Sequence, residues 1–137
     1  MTGKRSNVKG AVLASLLVAL VAVSISLSAH HSPAAFDRTK TVKLTGTVTA
    51  FKWTNPHSWM ELDVLNDRGG VDKWGVEMTS PTYLVRAGWK STSVKPGDKV
   101  TVTVNPVRTG EPVGIFLSIE LPDGRSLTER PARLGQP

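Results

Sequence analysis

Thr41-Val42-Lys43-Leu44-Thr45-Gly46-Thr47-Val48-Thr49-Ala50 sets Val42, Leu44, Val48 and Ala50 on one parity and mostly threonine and lysine on the other. A period of two is that of a strand with one buried face, whereas a helix repeats its apolar residues roughly every three or four positions. Gly46, alone in the apolar row, predicts a bulge or sharp bend, so the first strand is read as long and bent. The same period continues outward from it. Thr54-Asn55-Pro56-His57 is a turn by composition, and beyond it Met60, Leu62 and Val64 alternate with Trp59, Glu61 and Asp63. This second strand places His57, Trp59, Glu61 and Asp63 on the face opposite Met60. Asn66-Asp67-Arg68-Gly69-Gly70 supplies residues that tolerate positive φ, a hairpin turn into a third strand from Val71 to Met78.

Ser80 followed by Pro81 reads as a helix start, with Ser80 as the cap and Pro81 in the first turn. Tyr83, Leu84 and Ala87 give it a short apolar face, and Gly88 ends it after about two turns. Val100, Val102 and Val104 form a fourth strand, and Val113, Ile115, Leu117, Ile119 and Leu121 continue the alternation in a fifth. The predicted class is all-β: a five-stranded OB-like Greek-key barrel over 41–128, with one short helix between strands three and four. A β-sandwich is the competing architecture. Some ninety residues in five strands would leave two stacked sheets thin, whereas closure removes exposed edges. Residues 129–137, rich in Pro, Arg and Gly, are expected to be a mobile tail.

Upstream of the strands the chain changes character. Met1 to Gly10 holds Lys4, Arg5 and Lys9 without an acid, and Ala11 to Ala29 is an uncharged run of Ala, Val, Leu, Ile and Ser. Basic, apolar and small-residue regions in this order are those of a secretory signal over 1–29, which implies a signal helix and a periplasmic or secreted mature protein. An uncleaved anchor is the alternative, the run being close to the roughly 20 residues that span a bilayer. Cleavage after Ser28, Ala29 or Ala34 is compatible with the small residues present, and 30–40 is then a flexible leader. Position also changes the charge. The 137 residues carry +6 from 17 bases and 11 acids, but three of those bases lie in the signal, leaving +3 dispersed over the mature chain. Nucleic acid is therefore not an expected partner, and the membrane is met only through the signal segment.

There is no cysteine, so a metal site has to use imidazole, thioether, carboxylate or backbone. The histidines are His30, His31 and His57. Cleavage after Ala29 would give His30 a free α-amine, which with its imidazole can chelate one ion in the manner of a histidine brace, copper before zinc. His31 stands beside it, and His57 joins them if the leader folds back on the barrel. The alternative role is recognition of a glycan, a peptide or an envelope protein by an aromatic strand face, with Trp53, Trp59 and Glu77 as its candidate ligand-binding residues. Catalytic signatures are absent: the sequence has no Gly-x-Ser-x-Gly, phosphate loop, His-Glu-x-x-His or dinucleotide-binding glycine turn. A non-enzymatic binding protein is expected, and a pocket uniting His57 with Glu77 or Asp63 would be the feature that argues for an enzyme.

Ala29-His30-His31-Ser32, Phe36-Asp37-Arg38, Leu44-Thr45-Gly46-Thr47-Val48, Trp53-Thr54-Asn55-Pro56-His57, Glu77-Met78-Thr79-Ser80-Pro81, Gly88-Trp89 and Lys95-Pro96-Gly97-Asp98 span nearly the whole mature chain. Together they resemble a family of exported bacterial proteins classed as a domain of unknown function. The resemblance implies secretion and a single domain, and it supplies no reaction. In architecture and ligand types the chain is also similar to the periplasmic OB-fold copper chaperones, which hold Cu(I) with His, Met and a stacking Trp. Trp74 and Met78 have a comparable spacing, but their parity with Val76 marks them as core, and no second Met follows Met78 closely.

Overall fold

The computed structural model describes residues 33–129. The signal helix read at 1–29, the residues His30 and His31, and nearly all of the tail lie outside them. After a short 3-10 turn at Pro33–Ala35, six strands and one α-helix follow in order among the described residues: β1 (Val42–Lys52), β2 (Trp59–Leu65), β3 (Val71–Glu77), α1 (Pro81–Arg86), β4 (Lys99–Pro106), β5 (Val113–Glu120) and β6 (Ser126–Thr128). Hydrogen bonding orders the strands β3-β2-β1-β4-β5-β6. All neighbours in that order are antiparallel, and a parallel pairing of Gly75, Val76 and Glu77 in β3 with Val113, Gly114 and Ile115 in β5 closes the sheet. The result is a closed five-stranded OB-like barrel, with β6 added as a short strand on the edge of β5. That sixth strand is invisible to periodicity, because three residues cannot display an alternation.

β1 bends because it serves two partners. Its first half pairs with β4 from Val42 to Thr47 and its second half with β2 from Gly46 to Lys52, so the two ladders overlap at Gly46 and Thr47. A Cβ on Gly46 would lie 2.5 Å from the carbonyl oxygen of Asp63, which explains why the crossing residue has no side chain. The bulge itself falls elsewhere, at Thr49, between the pairs Val48 with Leu62 and Ala50 with Glu61. An extra residue inverts the alternation beyond it. Phe51, opposite Met60, therefore packs on the core in place of Ala50.

A second bulge at Leu117 does the same to β5. Thr103 faces Ser118 while Val104 already faces Phe116, so Phe116 is buried and Leu117 is 38% exposed. The expected single row from Val113 to Leu121 is thus broken in the middle.

The interior holds Leu44, Val48, Met60, Leu62, Val76, Val102, Val104, Phe116 and Ile119, with Met78 and Val100. Met78 is buried as its parity required, and Trp74 packs against the same cluster. α1 contributes Leu84 to the core, while Tyr83 is exposed, contrary to the expected apolar face. Ser80 occupies the cap position in extended conformation and Pro81 opens the helix, but the Ser80 side chain makes no capping hydrogen bond. Gly88 follows the helix with φ +90°, a left-handed conformation that glycine adopts without a Cβ penalty. Trp89 is buried against Phe116, ring centroids 5.4 Å apart and nearly perpendicular, and its indole N–H donates to the carbonyl of Thr128 at 2.8 Å. The leader expected to be free over 30–40 is attached in its described part: Phe36 is buried and bridges Val107, and the Asp37 N–H donates to the carbonyl of Pro106. Burial of the Phe36 ring, worth about 1.5–3 kcal/mol, together with these backbone hydrogen bonds offsets the chain entropy lost on ordering the leader.

A candidate binding face on strands β2 and β3

The β2–β3 hairpin starts from a turn in which the Asn66 side-chain oxygen accepts the backbone N–H groups of Arg68 and Gly70. From Leu65 opposite Val71 the register runs without interruption to Asp63 opposite Lys73, Glu61 opposite Gly75 and Trp59 opposite Glu77. Because Met60 and Leu62 point inward, this second set points out of the barrel. Trp59, Glu61, Asp63, Lys73, Gly75 and Glu77 therefore share one outer face, as the parity of β2 predicted for its three members.

At the centre of that face the Trp59 indole covers Gly75. A Cβ on Gly75 would lie 2.3 Å from Cζ2 of Trp59, so a glycine is required for the ring to lie on the neighbouring backbone. Trp59 is half-buried there and lines a cleft of about 430 Å³ with Thr49, Glu61, Asp63, Lys73, Trp74 and Val113. This volume falls within the roughly 300–1,000 Å³ of small-molecule sites. The charged residues that line the cleft are Glu61, Asp63 and Lys73. Lys52 Nζ donates to Glu61 Oε1 at 2.6 Å, and Asp63 faces Lys73 directly across the ladder.

His57 lies beyond the end of β2, after the cis Asn55–Pro56 peptide, and its Nδ1 meets Oε1 of Glu77. A carboxylate only accepts, so Nδ1–H is the donor and the other ring nitrogen, Nε2, keeps its lone pair in the neutral ring. The His57 side chain is 54% exposed and that of Glu77 only 14%. Neither residue lines the Trp59 cleft.

Trp53 is not part of this face. It packs edge-on against Phe51 at 5.7 Å and belongs with the apolar cluster inside the sheet, because the Thr49 bulge places it on the Phe51 side. Among the described residues no group of three or more His, Asp or Glu side chains is arranged to hold a metal ion. Of the cleft members only Trp59 is a site residue by sequence; Glu61 and Asp63 were placed on its face, Leu62, Trp74 and Val113 among the apolar strand residues, and no part was assigned to Thr49, Lys73 and Gly75. The register would have found the last two, because counting back from the turn puts Gly75 opposite Glu61 and diagonal to Trp59.

A second cleft, of about 600 Å³, lies along β5 and β6 and is lined by Arg38, Asn105, Ile115, Phe116, Leu117, Thr128 and Glu129. The Leu117 bulge, undetectable by parity, helps to form it.

The profile of a family described as a family of unknown function, DUF6152, matches residues 17–116. No curated protein matches the chain. Among solved structures, the mitochondrial single-stranded DNA binding protein Rim1 from S. cerevisiae is 12% identical, with a TM-score of 0.47 over 61% of this chain and 93% of its own. A ZRD-deleted mutant of TiaS in complex with agmatine is 20% identical, with a TM-score of 0.41 over 74% of this chain and 25% of its own.

Proposed function

We propose that this chain, which belongs to the DUF6152 family of unknown function, is an exported, non-enzymatic binding module that receives its ligand on the outer face of β2 and β3. The observation that carries the reading is the half-buried Trp59 indole, which covers Gly75 and lines a cleft. An aromatic ring seated on backbone is held still before a ligand arrives, so little side-chain entropy remains to be lost on binding. Export rests on the basic and apolar order of residues 1–29. His57 and Glu77, the pair whose union in a pocket would argue for an enzyme, stand outside the cleft. The test is an NMR titration of the mature protein with oligosaccharides, unstructured peptides and short oligonucleotides. The expected result is a ligand that shifts the Trp59 indole N–H resonance and is lost with Trp59→Ala. Binding that maps away from β2 and β3, or that survives the substitution, overturns it.

A second reading is supported by the pairing of His57 with Glu77. Metal-bound histidines characteristically donate their other ring N–H to a carboxylate, which fixes the tautomer and orients the ligating nitrogen. Glu77 stands in that relation to His57. In this reading His57 Nε2 is a copper or zinc ligand and Glu77 orients its ring; His30 and His31, the further ligands expected from the sequence, lie outside the described residues. Calorimetric titration of the mature chain with Cu(II) and Zn(II) tests it. Saturable one-to-one binding weakened by His57→Ala supports the site; no saturable binding, or binding indifferent to His57→Ala and to blocking of the N-terminal amine, removes it.

A further inference from the structure

We infer that the ligand of the Trp59 cleft is a neutral pyranose sugar, an inference that rests on the binding role proposed for this face and adds the chemical class. Three features decide between classes. The first is the aromatic surface: the benzo ring of Trp59 covers Gly75 and the residue lines the cleft, where an indole can meet the apolar C–H face of a sugar ring. The second is the charge balance around it. A phosphate backbone requires uncompensated Lys and Arg, and the cleft instead places Glu61 and Asp63 on the strand that carries Trp59. A cationic side chain would need those carboxylates free, yet Glu61 already accepts from Lys52 at 2.6 Å and Asp63 faces Lys73. The two acids of the lining thus face two bases, Lys73 within the cleft and Lys52 beside it.

The third feature is the distribution of donors and acceptors. Lys52 and Glu61 present an ammonium donor and a carboxylate acceptor side by side, Lys73 and Asp63 occupy opposite positions of the ladder, and Thr49 adds a hydroxyl that serves as either. Vicinal sugar hydroxyls, each of which both donates and accepts, match such alternating pairs. Glu61 and Asp63 are two residues apart on one strand, roughly 7 Å along β2. That spacing sets polar groups along one edge of a ring stacked on Trp59.

The test uses the mature protein and uncharged probes, namely neutral hexose and N-acetylhexosamine oligosaccharides of two to four units, with a thymidine oligonucleotide and a lysine-rich peptide for comparison. The expected result is saturable binding of a neutral oligosaccharide, unchanged between about 0.05 and 0.5 M salt. Trp59→Ala is expected to weaken it about tenfold, the value of one lost stacking contact. Asp63→Asn, a half-buried outer position whose replacement leaves the core intact, is expected to weaken it severalfold and guards against a folding defect in the tryptophan variant. If the oligonucleotide or the peptide binds at Trp59 with steep salt dependence instead, the sugar assignment is overturned and the face retains its role. If the sugar binds with equal affinity to Trp59→Ala and Asp63→Asn, both are overturned. If no neutral sugar binds, the assignment fails.

Discussion

Gly75 and Trp59 are the residue pair on which the binding face depends, and a single methyl group tests it. In Gly75→Ala the new Cβ meets the benzo ring of Trp59 at 2.3 Å. The obstructing atoms belong to the outer end of a side chain, so the indole gives way before the ladder does. The expected outcome is a folded protein, destabilised by about 1 kcal/mol in urea titration, with a red-shifted tryptophan emission and no ligand response. An unchanged Trp59 indole resonance would contradict the arrangement. Ser58 offers the opposite sign. It is fully buried, and its hydroxyl has no hydrogen-bond partner among the described residues. Desolvating a hydroxyl without compensation is unfavourable, so Ser58→Ala is expected to raise stability by about 1 kcal/mol, read as a higher urea midpoint at unchanged m-value.

At the level of elements, two bulges separate what the sequence discloses from what it hides. The strand-turn-strand of β2 and β3 was legible because Asn66 to Gly70 fixes the register and no insertion follows, so each parity assignment from Trp59 to Val76 holds. The OB-like order was legible for the same reason: five apolar rows, a bent first one and a helix signal at Ser80-Pro81 leave few closures. Thr49 and Leu117 were not legible. An extra residue in one strand has meaning only against the partner it faces, and no local pattern names the partner. Trp53, a candidate ligand-binding residue by sequence, follows the Thr49 bulge and packs on Phe51. Likewise, simple alternation makes Leu117 a core residue and leaves Phe116 outside. The structure reverses this, and the two truncations separate the cases. Phe116→Ala is expected to cost about 3–5 kcal/mol, and Leu117→Ala under about 1 kcal/mol, both by urea denaturation. Equal costs, or the reverse order, would place the bulge elsewhere.

For the whole molecule, acid sensitivity follows from three aspartates at the joints of the barrel. Asp37, where the leader meets β4, is held below the usual aspartate range first by the Thr39 hydroxyl, which donates to it at 2.6 Å, and then by the Thr39 N–H. Asp98, in the turn before β4, is lowered chiefly by the Lys95 ammonium at 2.5 Å. Asp123, in the turn between β5 and β6, is lowered by the N–H and then the guanidinium of Arg125. All three shifts have the same sign. The folded protein keeps these carboxylates charged at a pH where the unfolded chain, with ordinary values, already takes up protons, so falling pH favours unfolding. Their contribution is complete above about pH 4 and is lost as pH falls through the depressed values. The expected outcome is a urea midpoint that is level from about pH 7 to 5 and then declines below about pH 4. The triple variant Asp37→Asn, Asp98→Asn, Asp123→Asn is expected to start lower and decline less, because neutral amides have no proton to gain. The core plays no part in this difference, being built from Val, Leu, Ile, Phe and Met side chains that do not titrate. Parallel declines in the two proteins would locate the acid response in carboxylates other than these three.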